Sequence, residues 1–229
     1  MELNVKVRRT SGALEDVTLS FASCVAIGYA GRDQESVRKH VEELAALGVP
    51  RPASIPSMYW VSPAMIGCTG HIQVVGDETS AEVEFFMAPD AEGKLYFTVV
   101  SDHSDRKLEA VSVSKAKQIC PKIIGSEFWA LDDVKDHWDE LHLVSYAYMP
   151  EKILYQEAPV ASLLGWEELL ALAVADAPCK GQVAFCSGTV PVKDGKLRYA
   201  DAWDIAIKDK KLGRSIEQHY DVLRLDDRN

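Results

Sequence analysis

The sequence predicts an α+β fold, with more strand than helix and the helices set apart from the strands. Two observations carry that expectation. Residues 59–100 divide into short apolar runs separated by turn residues, and helical spacing is confined to a few isolated segments. Met1 to Arg8 alternates as a strand does, and Val17 to Tyr29 is a second apolar stretch ahead of Gly31. Asp33 is placed to cap a helix from about Gln34 to Leu47, with Gly48 just past its C-terminus and Pro50 beyond. Val37, Val41, Leu44 and Leu47 form its apolar stripe. Turns are expected at Gly67 to Gly70, at Gly76-Asp77 and at Pro89 to Gly93. Leu108 to Ile119 mixes alternation with helical spacing and is assigned to neither. Asp132 to Leu141, acidic and exposed, and Trp166 to Val174, strongly apolar, read as helices. Strands return at Val183 to Cys186 and at Lys196 to Ile207.

Composition narrows the functional classes. With 229 residues and 47% apolar side chains the chain can bury a full core, and a single domain spanning 1–229 is expected. There is no repeat, no low-complexity tract and no Gly/Ser linker; the longest irregular stretch, Gly48 to Pro56, is an ordinary loop length. A formal charge of −10 argues against non-specific nucleic-acid binding, which needs a basic face to displace counterions. An acidic chain that handles an anionic substrate must offer local positive charge, and a bound divalent ion supplies it. The five cysteines form no CxxC pair and follow no signal peptide, so they are expected as reduced, mostly buried thiols in a cytoplasmic protein. No apolar stretch approaches a membrane span.

The candidate chemistry lies between Glu82 and Arg106. On a strand, residues i and i+2 face the same way, so Glu82 and Glu84 project from one side and Val83 and Phe85 from the other. Asp102 follows the apolar run Leu95 to Val100, which reads as the neighbouring strand. Held close, such carboxylates stay ionised only beside a cation or in water. Three carboxylates without Cys or His suit a hard ion, Mg²⁺ first, Mn²⁺ or Ca²⁺ next. The alternative is that Glu82 and Glu84 form the solvated face of an amphipathic strand.

His40 and Glu43 stand at i and i+3 on the helix capped by Asp33, with His40 inside its apolar stripe. A carboxylate that orients an imidazole makes a competent general base, whereas a satisfied boundary histidine is the plainer alternative. His137 and Glu140 repeat the i,i+3 spacing within His137-Trp138-Asp139-Glu140-Leu141-His142, where a solvated acidic helix is the simpler reading.

These motifs occur in an order that resembles the fumarylacetoacetate hydrolase superfamily. Glu82-x-Glu84 followed by Ser101-Asp102-His103-Ser104-Asp105-Arg106 resembles its metal signature, with Ser101 where the usual form has Asn. Gly31-Arg32-Asp33, then His40-Val41-Glu42-Glu43, then Pro63-Ala64-Met65-Ile66 resembles its opening, its His-x-x-Glu helix and its substrate strand. Gly181-Gln182-Val183-Ala184-Phe185-Cys186-Ser187-Gly188-Thr189 resembles its late strand with one extra residue. The resemblance runs from about Ile27 to Pro191 and is nearest to the branch known as DUF2848.

The resemblance implies a mixed β-sheet roll with a few peripheral helices and a metal held by Glu82, Glu84 and Asp102. It implies His40 as base with Glu43 as its orienter, Arg32 gripping a substrate carboxylate, and Thr189 donating to a substrate carbonyl. Gln156 falls where the family often has a glutamine, and Lys115 or Lys117 corresponds to a lysine ahead of Cys120-Pro121. Ser62 stands where many members carry a lysine, which places the usual dianionic substrates in doubt. The implied activity is hydrolysis of a C–C bond in a small oxo acid or 1,3-dicarbonyl compound through an enolate, in a homodimer. Decarboxylation, isomerisation or hydration at the same site, or non-catalytic binding of a small molecule, are the alternatives.

Overall fold

The computed structural model describes residues 1–46 and 51–228, with the side chains of His40, Glu43, Leu44 and Ala46 outside that description. Strands β1 (Glu2–Arg8), β2 (Leu14–Ser20) and β3 (Ser23–Gly28) lead into helix α1 (Gln34–Ala46). Strands β4 (Ser57–Val61), β5 (Ile66–Gly67), β6 (His71–Val75), β7 (Thr79–Ser80), β8 (Val83–Pro89), β9 (Leu95–Ser101) and β10 (Ser104–Asp105) follow, then helices α2 (Arg106–Glu109) and α3 (Val113–Ile119). Strands β11 (Lys122–Ile124), β12 (Glu127–Ala130), β13 (His142–Tyr148) and β14 (Lys152–Pro159) precede helix α4 (Trp166–Ala175). Strands β15 (Val183–Cys186), β16 (Ala202–Asp209) and β17 (Arg214–Leu225) come last.

The expected α+β architecture is present as a mixed-sheet roll. The large sheet runs β2-β1-β12-β9-β8-β15-β3-β4, with β11 bridging β9 and β5. A second sheet runs β14-β13-β16-β17-β6, and β7 pairs with β10. Most neighbours are antiparallel, but β1 with β12, β11 with β5, β15 with β3 and β17 with β6 are parallel. Val25, Phe85, Phe97 and Phe185 on one face of the large sheet pack against Leu143, Ile205, Ile207 and Ile216 of the second sheet and against Leu169 of α4. From the opposite face Val7, Leu19, Phe21, Phe86, Phe128 and Ala184 close on one another, which curls the large sheet around its own apolar lining. A strand buried on both faces reads as a continuous apolar run, and all seven residues of β8 are buried.

Local signals account for the element borders. Asp33 Oδ1 accepts from the backbone N–H groups of Glu35 and Ser36 at 3.1 Å each, so α1 starts where the capping residue places it. Its expected end at Leu47-Gly48-Pro50 lies outside the described residues, as do the side chains of His40 and Glu43. The stretch Val17 to Tyr29 is divided between β2 and β3, with Phe21 and Ala22 between the strands. Asp90 Oδ1 accepts from Glu92 and Lys94 N–H at 3.1 and 2.8 Å and folds the turn that joins β8 to β9.

Two elements correct the sequence reading. Asp132 to Leu141 is no exposed α-helix but two 3₁₀ turns, Leu131–Asp133 and Lys135–Glu140, with a non-helical residue at His137. Packing explains the break. Trp138 meets the rings of Phe85 and Phe97 edge-on at 4.9 Å each, while His137 Nε2 lies 3.1 Å from both oxygens of buried Asp209. His137 is thereby committed to Asp209, while Glu140 lies 3.7 Å from Lys211. Lys196 to Asp201 is not strand; β16 begins at Ala202, and β17, unassigned from sequence, pairs with it along its length.

All five cysteines are free; Cys24, Cys120 and Cys186 are buried as expected, whereas Cys68 and Cys179 are exposed. No helix among the described residues is long and apolar enough to cross a membrane.

Candidate metal centre

The β8–β9 hairpin builds the carboxylate cluster. Its register pairs Val83 with Ser101, and the next step outward closes with Asp102 N–H donating to Glu82 C=O at 2.9 Å. Asp102 is thereby set beside Glu82, and alternation puts Glu84 on the same side. Carboxylate oxygens of Glu82, Glu84 and Asp102 all lie within 4.8 Å of one another. A solvated strand face is ruled out, because Glu84 and Asp102 are each 1% exposed.

Three buried cations answer the three carboxylates. Ser112 caps α3 by accepting from Lys115 N–H, and the resulting phase turns Ala116 and Lys117 inward. Lys117 Nζ contacts Asp102 Oδ2 directly and lies 3.2 Å from Glu82 Oε2. The two lysines that the sequence left open differ in position: Lys117 enters the cluster, and Lys115 borders an open depression with Trp60, Leu108 and Ile119. Strand β11 pairs Ile123 with Ser101, so Lys122 stands beside Asp102 with Nζ 2.8 Å from Oδ1 and 2.6 Å from His103 C=O. Arg106 divides its guanidinium between Glu82 Oε1 at 3.2 Å and Glu109 Oε2 at 2.7 Å.

The electrostatics follow from these pairings. Burial alone would raise the Asp102 carboxyl, but Lys117 and Lys122 override it and hold the group well below its usual range. Glu82 is also lowered, since Arg106 and Lys117 outweigh its desolvation. Glu84 is raised well above the ordinary value, first by burial and then by the charge of Asp102, despite the Gly188 N–H donated to its Oε2 at 2.9 Å. Burial and the nearby Lys122 push His103 down to about 3. The neutral His103 ring lies 3.0 Å from Tyr220 OH at Nδ1 and 2.9 Å from Thr79 Oγ1 at Nε2, a polar floor beneath Asp102.

The donor set fits a hard divalent ion. All three groups offer oxygen, and Asp102 Oδ1 is buried with no aligned hydrogen bond, its contact with Lys122 being an ion pair only. Gly188 sits at φ +84°, and a Cβ there would lie 2.7 Å from Ile27 C=O. Gly188→Ala is therefore expected to cost about 2–4 kcal/mol of stability in denaturant unfolding, through φ strain plus a backbone clash, and to loosen Glu84. A loss below about 0.5 kcal/mol would show that the loop adapts freely.

The other expected site residues divide by their partners. Gln156 is buried and fully engaged: Oε1 accepts from Val83 N–H at 3.0 Å and Ser145 Oγ at 3.1 Å, and Nε2 donates to Thr189 Oγ1 and Val190 C=O at 2.8 and 2.6 Å. It braces the loop after β15 to the start of β8. Thr189 Oγ1 donates to Val83 C=O at 2.9 Å, so its proton is already used. Arg32 turns away from the carboxylates, bonded to both oxygens of Asp139 at 2.8 Å and to Leu163 C=O at 2.9 Å. Ser62 is exposed and caps a 3₁₀ turn, its N–H donating to Gln118 Oε1 at 2.9 Å.

Sequence reasoning missed Lys122 as a site group, gave Arg106 no partner and overlooked Tyr29. The available signals were a lysine opening the apolar run Lys122-Ile123-Ile124 and the arginine ending the metal motif. Tyr29 follows β3 at φ 57°, a left-handed backbone at a non-glycine residue, which tends to mark a functional constraint. Its hydroxyl is raised by burial and then by Tyr59, with Glu109, Lys117 and Glu82 also in range, so it stands at the edge of the cluster.

The solved structures that share this fold are members of the fumarylacetoacetate hydrolase superfamily. The chain itself belongs to the family described as "Protein of unknown function (DUF2848)", whose model matches residues 27–220. A 2-keto-3-deoxy-D-arabinonate dehydratase complexed with magnesium and 2,5-dioxopentanoate is similar at 18% identity and TM-score 0.63, covering 90% of this chain and 74% of that one. Fumarylacetoacetate hydrolase from Exiguobacterium antarcticum matches at 16% identity and TM-score 0.58, covering 92% and 79%. The 4-oxalocrotonate decarboxylase of Pseudomonas putida G7, complexed with magnesium and adipate, matches at 12% and 0.55, covering 90% and 79%. At these identities the likeness is one of fold. No curated protein matches the chain.

Proposed function

We propose that the protein is a divalent-metal-dependent enzyme that hydrolyses a C–C bond in a small oxo acid or 1,3-dicarbonyl compound. The observation that carries the reading is the convergence of Glu82, Glu84 and Asp102 within 4.8 Å, at the start of β8, a strand whose seven residues are all buried. Mg²⁺ is the first choice of ion, Mn²⁺ or Ca²⁺ the next, and when bound it supplies Lewis acidity to two substrate oxygens. His40, oriented by Glu43, takes the proton from the attacking water. Lys117 provides positive charge at the mouth of the cluster, and Arg32 reaches a substrate carboxylate by exchanging it for Asp139. Thr189, which accepts from Gln156, donates its hydroxyl proton to the substrate carbonyl by exchanging it for Val83 C=O. Ser62 contributes a hydrogen bond where a lysine would have contributed charge. The reading includes a cytoplasmic homodimer.

Dehydration or decarboxylation of a related oxo acid is the second reading, favoured by the dehydratase and the decarboxylase among the structures of the same fold. Proton transfer at the same His40 and anion binding at the same cations would serve it.

Calorimetry together with a substrate panel tests the proposal. About one Mg²⁺ or Mn²⁺ per chain is expected, with binding lost in the Glu82→Ala, Glu84→Ala double variant. Among oxo acids assayed with either ion, monoanionic or neutral compounds bearing a larger apolar group should exceed oxaloacetate in kcat/KM, because Ser62 supplies no second positive charge. Unaltered Mg²⁺ affinity in the double variant would remove the metal assignment, and oxaloacetate as the best substrate would remove the specificity argument.

A further inference from the structure

Lys117 stands where a divalent ion would have to bind. Its Nζ contacts Asp102 Oδ2 and lies 3.2 Å from Glu82 Oε2, so it engages two of the three carboxylates proposed above as metal ligands. The third, Glu84, accepts from Gly188 N–H on its far side. A hard ion needs oxygens at about 2.0–2.6 Å, and the carboxylate oxygens available to it lie within 4.8 Å of one another. An ammonium and a divalent cation cannot share that space, because their mutual repulsion in a buried setting far exceeds its value in water.

The three cations of the cluster differ in how firmly they are held. Lys122 is 0% exposed, and besides Asp102 Oδ1 it has His103 C=O as a second anchor. Arg106 is shared between Glu82 and Glu109. Lys117 has only Glu82 and Asp102 as polar partners among the described residues, and it extends on a four-carbon stem from the seven-residue α3. A landing place is already near: its Nζ is 6.0 Å from the centroid of the Tyr59 ring, within cation–π reach at the half-buried rim of the cluster.

Charge arithmetic points the same way. Glu82, Glu84, Asp102 and Glu109 carry at most four negative charges against the three positive charges of Lys117, Lys122 and Arg106. A doubly charged ion turns that group positive unless one resident cation withdraws, and Lys117 is the one with least to lose.

We propose that Lys117 is a tethered counter-ion that occupies the carboxylate cluster until a divalent ion displaces it toward Tyr59. Metal affinity is then held down by the chain's own ammonium. The inference rests on the metal reading above, and its test separates the two.

Mg²⁺ titration of the wild type and of Lys117→Met by calorimetry is the first measurement. The variant is expected to bind Mg²⁺ at least tenfold more tightly, while Lys115→Met binds as the wild type does. The second measurement needs no variant: trace acetylation of the wild-type protein read by mass spectrometry. Lys117 is expected to be protected without metal and to react at least fivefold faster at saturating Mg²⁺, with Lys122 protected throughout. If Lys117→Met does not fold, the acetylation result alone decides. Mg²⁺ binding to the wild type with no gain in affinity in a folded Lys117→Met variant, or with unchanged Lys117 reactivity, overturns the displacement and leaves the metal site standing. Absence of Mg²⁺ binding in wild type and variant alike overturns both.

Discussion

Asp102→Ala is expected to lower the folding stability of the metal-free protein by about 3–5 kcal/mol and to abolish measurable Mg²⁺ binding. The carboxylate is 1% exposed and is the shared counter-charge of two buried lysines, Lys117 on one oxygen and Lys122 on the other. Deleting it strands both ammonium groups. Lys117 can swing toward the rim, but Lys122 is 0% exposed at the first residue of β11, with only His103 C=O left to it among the described residues. Breaking a buried pair from one side costs far more than the pair contributes, because the surviving charge stays desolvated. Glu84→Gln provides the contrast. Burial and the charge of Asp102 already raise the Glu84 carboxyl toward its neutral form, so a neutral amide should change stability by no more than about 1 kcal/mol while still weakening Mg²⁺ binding. Urea unfolding of the two variants at neutral pH, without metal, checks the pair. Equal losses would mean that Lys117 and Lys122 do not depend on Asp102 for their charge.

What was legible in the sequence followed from local rules. Asp33 fixed the start of α1 through its capping oxygen. The Asp90 turn and the two-residue period of β8 and β9 brought Glu82, Glu84 and Asp102 together before any tertiary contact was considered. What was not legible depended on burial set by distant parts of the chain. A lysine in sequence reads as solvated, and Lys122 becomes a core residue only because β11 lies between β9 and β5. The phase of α3 hangs on the Ser112 cap, so Lys115 and Lys117 could not be told apart in a stretch of mixed period. Strand β17 alternates, with Ile216, Tyr220 and Val222 buried and Glu217, His219 and Asp221 exposed, but polar Gln218 falls among its inward positions and interrupts the apolar half of that period. At Asp132 to Leu141 the acidic surface residues suggested an exposed helix, while Trp138 and His137 were committed to partners across the core. Arg32 and Gln156 were named through the family resemblance alone, and only the structure shows Arg32 held by Asp139 and Gln156 by four backbone and side-chain partners.

His40→Ala is expected to lower kcat by about 10² to 10⁴ on whichever oxo compound is turned over, while Mg²⁺ affinity stays within about threefold of the wild type. The Asp33 cap fixes the first turn, and Val41, 5% exposed, marks the side of the helix that faces the protein. His40 lies about 100° from Val41 around the axis and on the same face as Glu43, three residues on. In the proposed reading the imidazole of His40, which the sequence places inside the apolar stripe, takes a proton from water with the Glu43 carboxylate as its orienter. It is not among the proposed metal ligands, so its loss should leave calorimetry unchanged. Glu43→Gln, which keeps a hydrogen-bonding partner but removes the charge, should cost less and should shift the acidic limb of the kcat/KM profile to lower pH, since the imidazolium loses its stabilising neighbour. A merely structural histidine would move stability without moving that limb. Full turnover by a folded His40→Ala protein would assign the proton transfer to another group, and the remaining reading would be a metal site that works without this pair.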